Sequence, residues 1–401
     1  LKPEILAPAG NMEKLEIALA YGADAVYGGG QAYSLRALAD NFNLEELKTA
    51  VALAHREGAR FYATVNIFAH EKDLEGLPGY LESLAACGVD ALIVSDPGII
   101  RIARKVVPEL PLHLSTQANC LNSESALLWA ELGVKRIILA RELHLEEIKE
   151  LRAKLSREIE LEMFVHGAMC LSYSGRCWLS AYLADRDANQ GLCAHPCRWK
   201  YALLEEKRPG EYYPVFEDER GTYVMNSHDL CLVEELPKLM ELGLASFKIE
   251  GRMKGIHYVA TATRAYRTVR DACLRGEKIE EAVATAKQEL ARIEHRPYTT
   301  GFLLGEPKQN PHRSYESLAY GFVGIVLEEG NPAKVGVRNY LPQGARIEVL
   351  SPNLEVFQQT NRMFSEEGEP IEAAHANYTV WLEFERPVEK YSLIRLVKEE
   401  K

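Results

Sequence analysis

Over roughly its first 250 residues the chain alternates between two hydrophobic rhythms. Short runs rich in β-branched and aromatic residues, apolar at nearly every position, precede longer stretches in which apolar residues return every three or four positions. The first rhythm is that of a strand buried on both faces, and the second is that of a helix with one face on a core. Their alternation predicts βα units on a parallel sheet. Eight such runs occur, at 4–7, 25–27, 60–65, 91–94, 112–115, 136–139, 161–165 and 246–249. Four helix-to-strand joints share one form, YGADAVY, CGVDALIV, LGVKRIIL and LGLASFKI, with Gly22, Gly88, Gly133 and Gly243 placed to end a helix in the left-handed conformation. Eight strands predict a closed (β/α)8 TIM-like barrel, with a seven-strand doubly wound sheet as the alternative.

From Tyr320 the period changes to two. GFVGIV, AKVGV, ARIEVLS, YTVWLEF and YSLIRLV alternate between Gly, Asn and Pro turns, which predicts a small antiparallel β-barrel or sandwich. The expected organisation is a barrel over 1–255, a helical and linker segment over 256–315 and a C-terminal β domain over 316–401. About 80 residues separate the seventh and eighth runs, far beyond an ordinary βα connection. They form a cysteine-rich insertion at about 166–245.

Composition narrows the class. The 401 residues are 47% hydrophobic, with no apolar run long enough to cross a membrane, as in a soluble globular protein. The opening LKPEILAPAG carries no basic-then-apolar leader, so a cytoplasmic location is expected. The formal charge of −11 opposes nucleic acid on average, so an RNA partner would need a local basic face. The stretch 248–275 is the candidate: Lys248, Arg252, Lys254, Arg264, Arg267, Arg270 and Arg275 stand against Glu250 and Asp271. Arg198, Lys200, Lys207 and Arg208 add to it in sequence, and a plain solvated helix surface is the alternative.

Eight cysteines in a cytoplasmic chain point to metal, catalysis or burial before disulfides. Cys170-x6-Cys177-x15-Cys193-x3-Cys197, in a glycine-containing segment, has the composition of a closed thiolate metal site. Neither pair shows the x2 spacing of zinc knuckles, which favours an iron–sulfur cluster; structural zinc and four buried thiols are the alternatives. Cys87 and Cys273 read as small buried hydrophobes. Cys120 has a possible place at the barrel mouth, and Cys231 is the substitute ligand should Cys197 not serve.

In a barrel the chemistry sits past the C-terminal ends of the strands. There stand the Gly28–Gly30 turn with Arg36 behind it, Asn66 and His70, Gln117 and Asn119, Arg141 with Glu142, and His166 at the head of the cysteine loop. A glycine turn backed by arginine suits a carboxylate or phosphate, and paired amides suit a uracil edge or an acid. Strand eight ends in Lys248-Ile-Glu250-Gly-Arg252. Alternation sends Lys248 and Glu250 to the barrel interior, where charges are costly unless paired or used. His166, Lys248 and Glu250 are the catalytic candidates.

The windows FVHGAMCLSYSGRCWLS (164–180), LAPAGNMEKLEIALAYGADAVYGGG, STQANCLN and SFKIEGRMKG resemble the peptidase U32 family over residues 1–300, and the tail resembles its C-terminal β module. GLCAHPCRWKY and NSHDLCLVEELPKL look closest to a branch concerned with tRNA modification. The resemblance implies a [4Fe–4S] cluster on Cys170, Cys177, Cys193 and Cys197. It also implies hydroxylation of the tRNA wobble uridine to 5-hydroxyuridine with prephenate as cosubstrate. Arg36 and Arg252 would then clamp the dicarboxylate, with Asn66, Gln117, Asn119 and Arg141 around it. The family name implies a peptidase instead, yet the chain has no HExxH and no GxSxG. A cysteine peptidase would pair a thiolate with His166 or His195. A non-catalytic iron–sulfur scaffold of a hydroxylation complex is the third reading.

Overall fold

The computed structural model describes residues 2–35, 41–170, 172–173, 176–198, 203–204, 212–213, 216–218, 221–223, 228–305, 320–353 and 355–398. Eight parallel strands form its centre: β1 (Glu4–Pro8), β2 (Ala25–Gly29), β3 (Arg60–Val65), β4 (Ala91–Val94), β5 (Leu112–Leu114), β6 (Val134–Ile138), β7 (Glu160–Ala168) and β8 (Ser246–Ile249). Each pairs with the next, and β8 pairs with both β7 and β1. That last pairing closes the barrel and removes the doubly wound alternative, which would leave two open edges. Helix starts are written locally. Asn11, Asn43, Asp96 and Asn122 each accept a backbone N–H from the first turn of the helix they precede, meeting one of its orphan donors.

Two features depart from the sequence expectation. The first is β7, which runs nine residues because its upper end gains an antiparallel partner, Asp229–Cys231. That short strand pairs in turn with Tyr298–Thr299, building a shoulder beside the barrel mouth. The Asp229 carboxylate anchors the shoulder by accepting from Arg296 Nε (2.9 Å), Nη2 (2.6 Å) and backbone N (3.0 Å). Burial alone would raise the pKa of Asp229, but the Arg296 guanidinium and N–H hold it below the ordinary value. The second is the helix Ile256–Arg275. It is helical as expected, but it packs on the helix Met12–Ala20 and on β1 as part of the barrel's outer ring, so the barrel runs past residue 255.

The C-terminal domain is a seven-stranded antiparallel sheet in the order Phe357–Thr360, Arg346–Leu350, Leu393–Val397, Tyr320–Glu328, Ala333–Val337, Thr379–Glu383, Arg362–Phe364. It has its own apolar core around Val335, Ile347, Met363 and Leu382. Arg395, with no exposed surface, fastens it to the barrel's helices. Its guanidinium donates to Glu289 (2.8 Å), Glu348 (2.9 Å), Thr261 (3.0 Å) and His257 Nε2 (2.8 Å). Burial, then Arg395, keeps the pKa of His257 well below 6.5, so the imidazole is neutral and free to accept.

Candidate functional site

The lower part of the barrel interior is a ladder of ions. Glu162 on β7, without exposed surface, lies 3.3 Å from Lys248 Nζ and 3.3 Å from Arg136 Nη1. Arg136 also pairs with Glu4 (2.7 Å) and Glu160 (2.7 Å), and Tyr62 donates to Glu4. These side chains point inward by the period of two, so neighbouring strands meet as opposite charges. The sequence reading overlooked Glu162, although Glu160, Glu162 and Phe164 share one strand face with period two. Lys248 caps the ladder, its ammonium 4.3 Å from the centre of the Tyr27 ring. Burial lowers its pKa, while Glu162 works in the opposite direction.

Above the ladder a cavity of about 190 Å³ opens at the C-terminal face of the barrel. Cys170, Cys177, Cys193, Cys197 and His195 line one side of it. Asn66, Gln117, Arg141, Lys248, Glu250 and Arg252 are among its other lining residues. No disulfide joins any of the eight cysteines. The four in the cavity converge without closing on a single point: among the described residues no three His, Cys, Asp or Glu side chains stand as a formed metal site. The donor set itself is four soft sulfurs on one cavity, which fits a thiophilic metal or an iron–sulfur group. The backbone N–H of His195 donates to Cys193 Sγ (3.4 Å), the kind of bond that stabilises a thiolate ligand.

Several candidates stand elsewhere than expected. His166 does not face the cavity. Lys248 pairs with Phe164 and Ile249 with His166, so one extra residue, Val165, sits in β7. This bulge reverses the alternation and turns His166 outward under the helix Ile256–Arg275. There it is 1% exposed among the rings of Tyr258, Tyr266 and Tyr298, and burial pushes its pKa down to about 3. Gly167 follows at φ +115°, and a Cβ there would stand 2.7 Å from that of Glu250.

Arg252 lines the cavity, but its Nη1 donates to Ser34 Oγ (2.9 Å), Leu35 O (2.9 Å) and Thr64 Oγ1 (3.2 Å), and its Nη2 to Asn41. It is committed to holding the loop after β2, which removes the expected clamp on a dicarboxylate. Arg36, the other half of that clamp, lies outside the described residues. The glycine turn serves the same arginine: a Cβ on Gly29 would meet Ser34 Oγ at 2.3 Å and Arg252 Nη2 at 2.6 Å. Close packing, not an anion, explains that glycine. Asn119 sits at φ 51°; with its amide turned over, it donates to Thr116 O (3.1 Å) and accepts from Arg176 Nε (3.0 Å), and it is absent from the cavity wall. His70 caps the turn Glu71–Asp73.

Cys231 is no substitute ligand. It lies opposite His166 in the shoulder, and burial pushes its thiol up to about 11. Cys120 is 1% exposed, likewise raised to about 11, and also stands off the cavity. The candidate basic face shrinks in three dimensions to half-buried Lys254, Arg264 and Arg267 and exposed Arg275. Lys248, Arg252 and Arg270 are interior, Arg270 being paired with Asp24 and Asp271. Lys200, Lys207 and Arg208 lie outside the described residues, as does the Arg198 side chain.

The model of peptidase family U32 matches residues 10–313, and that of the family's C-terminal domain matches residues 319–395. The chain belongs to peptidase family U32. This U32 chain is 42% identical over 380 residues to "tRNA hydroxylation protein P1" of Bacillus subtilis (strain 168), over 93% of its own length and 89% of that protein's. It is 38% identical over 444 residues to "tRNA hydroxylation protein P" of Escherichia coli (strain K12), over 98% and 96% of the two lengths. It is 33% identical over 354 residues to "23S rRNA 5-hydroxycytidine C2501 synthase" of the same organism, over 88% of its own length and 50% of that protein's. No helix among the described residues is long and apolar enough to cross a membrane.

Proposed function

We propose that this U32 chain is an RNA-modifying enzyme that hydroxylates the wobble uridine of tRNA to 5-hydroxyuridine, with prephenate as cosubstrate and a [4Fe–4S] cluster as cofactor. The observation that carries this reading is the convergence of Cys170, Cys177, Cys193 and Cys197 on one barrel-mouth cavity, in a chain whose relatives are named for RNA hydroxylation. The four thiolates would hold the cluster, which supplies one-electron chemistry when bound. The chain's own residues do the rest. Lys248 and Arg141 line the cavity as cations and favour an anionic cosubstrate there. Glu250 places a carboxylate at the same wall for moving a proton. Arg141 is held in place by its bond to Ala168 O (2.8 Å). In the cysteine-bearing segment, Tyr173, Arg176, Trp178 and Tyr182 are all exposed, side chains of the kind that stack on unpaired bases.

A cysteine peptidase needs a thiolate beside a histidine base. His166 faces away from Cys170, and pairing His195 with Cys193 or Cys197 leaves the other thiols without a role. Mass spectrometry of tRNA from cells lacking the protein tests the proposal. Loss of 5-hydroxyuridine and its derivatives is expected; unchanged levels, with no redundant pathway present, reject it. Anaerobically purified protein is expected to be brown and to contain iron.

A further inference from the structure

The side-chain amide of Gln117 has one orientation open to it. The backbone N–H of Leu35 donates to Asn66 Oδ1 (3.1 Å), which leaves Asn66 Nδ2 as a donor, and that nitrogen donates to Gln117 Oε1 (2.7 Å). Ser115 Oγ donates to the same oxygen (3.1 Å). A backbone N–H cannot accept, so the direction of the chain is set at Leu35 and passes outward. Gln117 is thereby locked with its oxygen occupied and its NH2 group left over. The residue is 3% exposed and lines the cavity, and its Nε2 has no hydrogen-bond partner among the described residues. Such a buried donor is costly when its bond is left unmade, and a polar ligand removes that cost.

We infer that Gln117 is a one-way hydrogen-bond donor to an sp2 oxygen of the molecule bound in the cavity, with Asn66 as the residue that positions it. The identity of that molecule rests on the RNA-hydroxylation reading and has two sources. One is the C4 carbonyl of a uracil base, and the other is a carboxylate of the dicarboxylate cosubstrate. Both present acceptors only. An amino group at that point, such as cytosine carries at C4, would meet the Gln117 NH2 donor to donor and lose the bond. The cations Lys248 and Arg141 on the same wall favour an oxygen acceptor in the same way.

The test uses the full chain and four proteins: wild type, Gln117→Glu, Gln117→Met and Asn66→Asp. Gln117→Glu keeps the shape and removes the donor, and Gln117→Met removes it without adding charge. Asn66→Asp still accepts from Leu35 but no longer donates to Gln117. Calorimetric titrations with prephenate and with uridine 5′-monophosphate are read beside iron content and melting temperature. Wild type is expected to bind at least one probe, with about tenfold weaker binding of that probe in both Gln117 variants and about threefold weaker binding in Asn66→Asp, at unchanged iron content. Loss confined to prephenate assigns the oxygen to a carboxylate; loss confined to the nucleotide assigns it to the uracil carbonyl. Wild type binding neither probe, or Gln117→Met binding both as wild type does, overturns the inference. It also fails if iron is lost together with binding, because the amide would then serve the thiols. Should the donor effect hold while cells lacking the protein keep full 5-hydroxyuridine, the RNA-hydroxylation reading falls and the donor assignment stands.

Discussion

The two ends of one barrel interior handle polar groups in opposite ways. At the lower end Glu4, Arg136, Glu160, Glu162 and Lys248 pair as opposite charges at 2.7 to 3.3 Å. At the mouth, four thiols line a cavity that the Gln117 amide shares, with its Nε2 unpaired among the described residues. Burial and polarity alone therefore do not mark a functional residue; what sets Gln117 apart is an unspent donor on the wall of a cavity able to hold a ligand. Arg252 shows the rule from the other side: it lines the cavity, yet its guanidinium is engaged with Ser34, Leu35, Thr64 and Asn41.

The sharpest break of this comparison is at the mouth. Cys193→Ala is expected to remove iron from the anaerobically purified protein and 5-hydroxyuridine from tRNA, while the melting temperature of the metal-free protein stays near wild type. Absorbance and nucleoside mass spectrometry read it, and a variant that keeps both iron and product would end the ligand assignment. At the lower end the effect should fall on stability. Arg136→Met leaves Glu4, Glu160 and Glu162 short of a partner and should cost about 3–5 kcal/mol in urea denaturation.

His166 gives a pH test. Its folded pKa is about 3, against about 6.5 when unfolded, so below pH 6.5 the unfolded state takes up a proton that the folded state refuses. Stability should fall by up to about 1.4 kcal/mol per pH unit from pH 6.5 down towards 3 on account of this group. His166→Gln should flatten that slope and leave stability above pH 7 nearly unchanged; an equally steep profile would show that the histidine is not buried neutral. The smallest effect is expected at Arg275, exposed at the end of its helix, where Ala should change stability by no more than about 0.5 kcal/mol. A large change in tRNA affinity there would restore weight to the basic face that the fold reduces to Lys254, Arg264, Arg267 and Arg275.

Much of the barrel was legible in advance. Strands at 60–65, 91–94 and 246–249 lie where the apolar runs place them, because a strand buried on both faces has little choice of composition. The long β7 was not legible, since its extension depends on Asp229–Cys231 arriving from sixty residues further along the chain. His166 misled for the same reason. Its position just past the seventh run places it at the mouth, and only the extension of β7 and the bulge at Val165, set by pairing with β8, turn it out. The charge run at 248–275 misled because sequence proximity on a helix says nothing about which cations face the core.

The sequence by itself determined the alternation of strands and helices, the change to period two near Tyr320 and the cysteine spacing in the insertion. These follow from local periodicity and residue chemistry, which a chain carries with it before it folds. Tertiary structure alone decided that the four cysteines share a cavity with Gln117 and Lys248, that Arg252 is spent on a loop, and that Gln117 presents its NH2 and not its oxygen. Those outcomes depend on which donors and acceptors meet across strands far apart in the chain, and hydrogen-bond direction is fixed only when the last partner is in place.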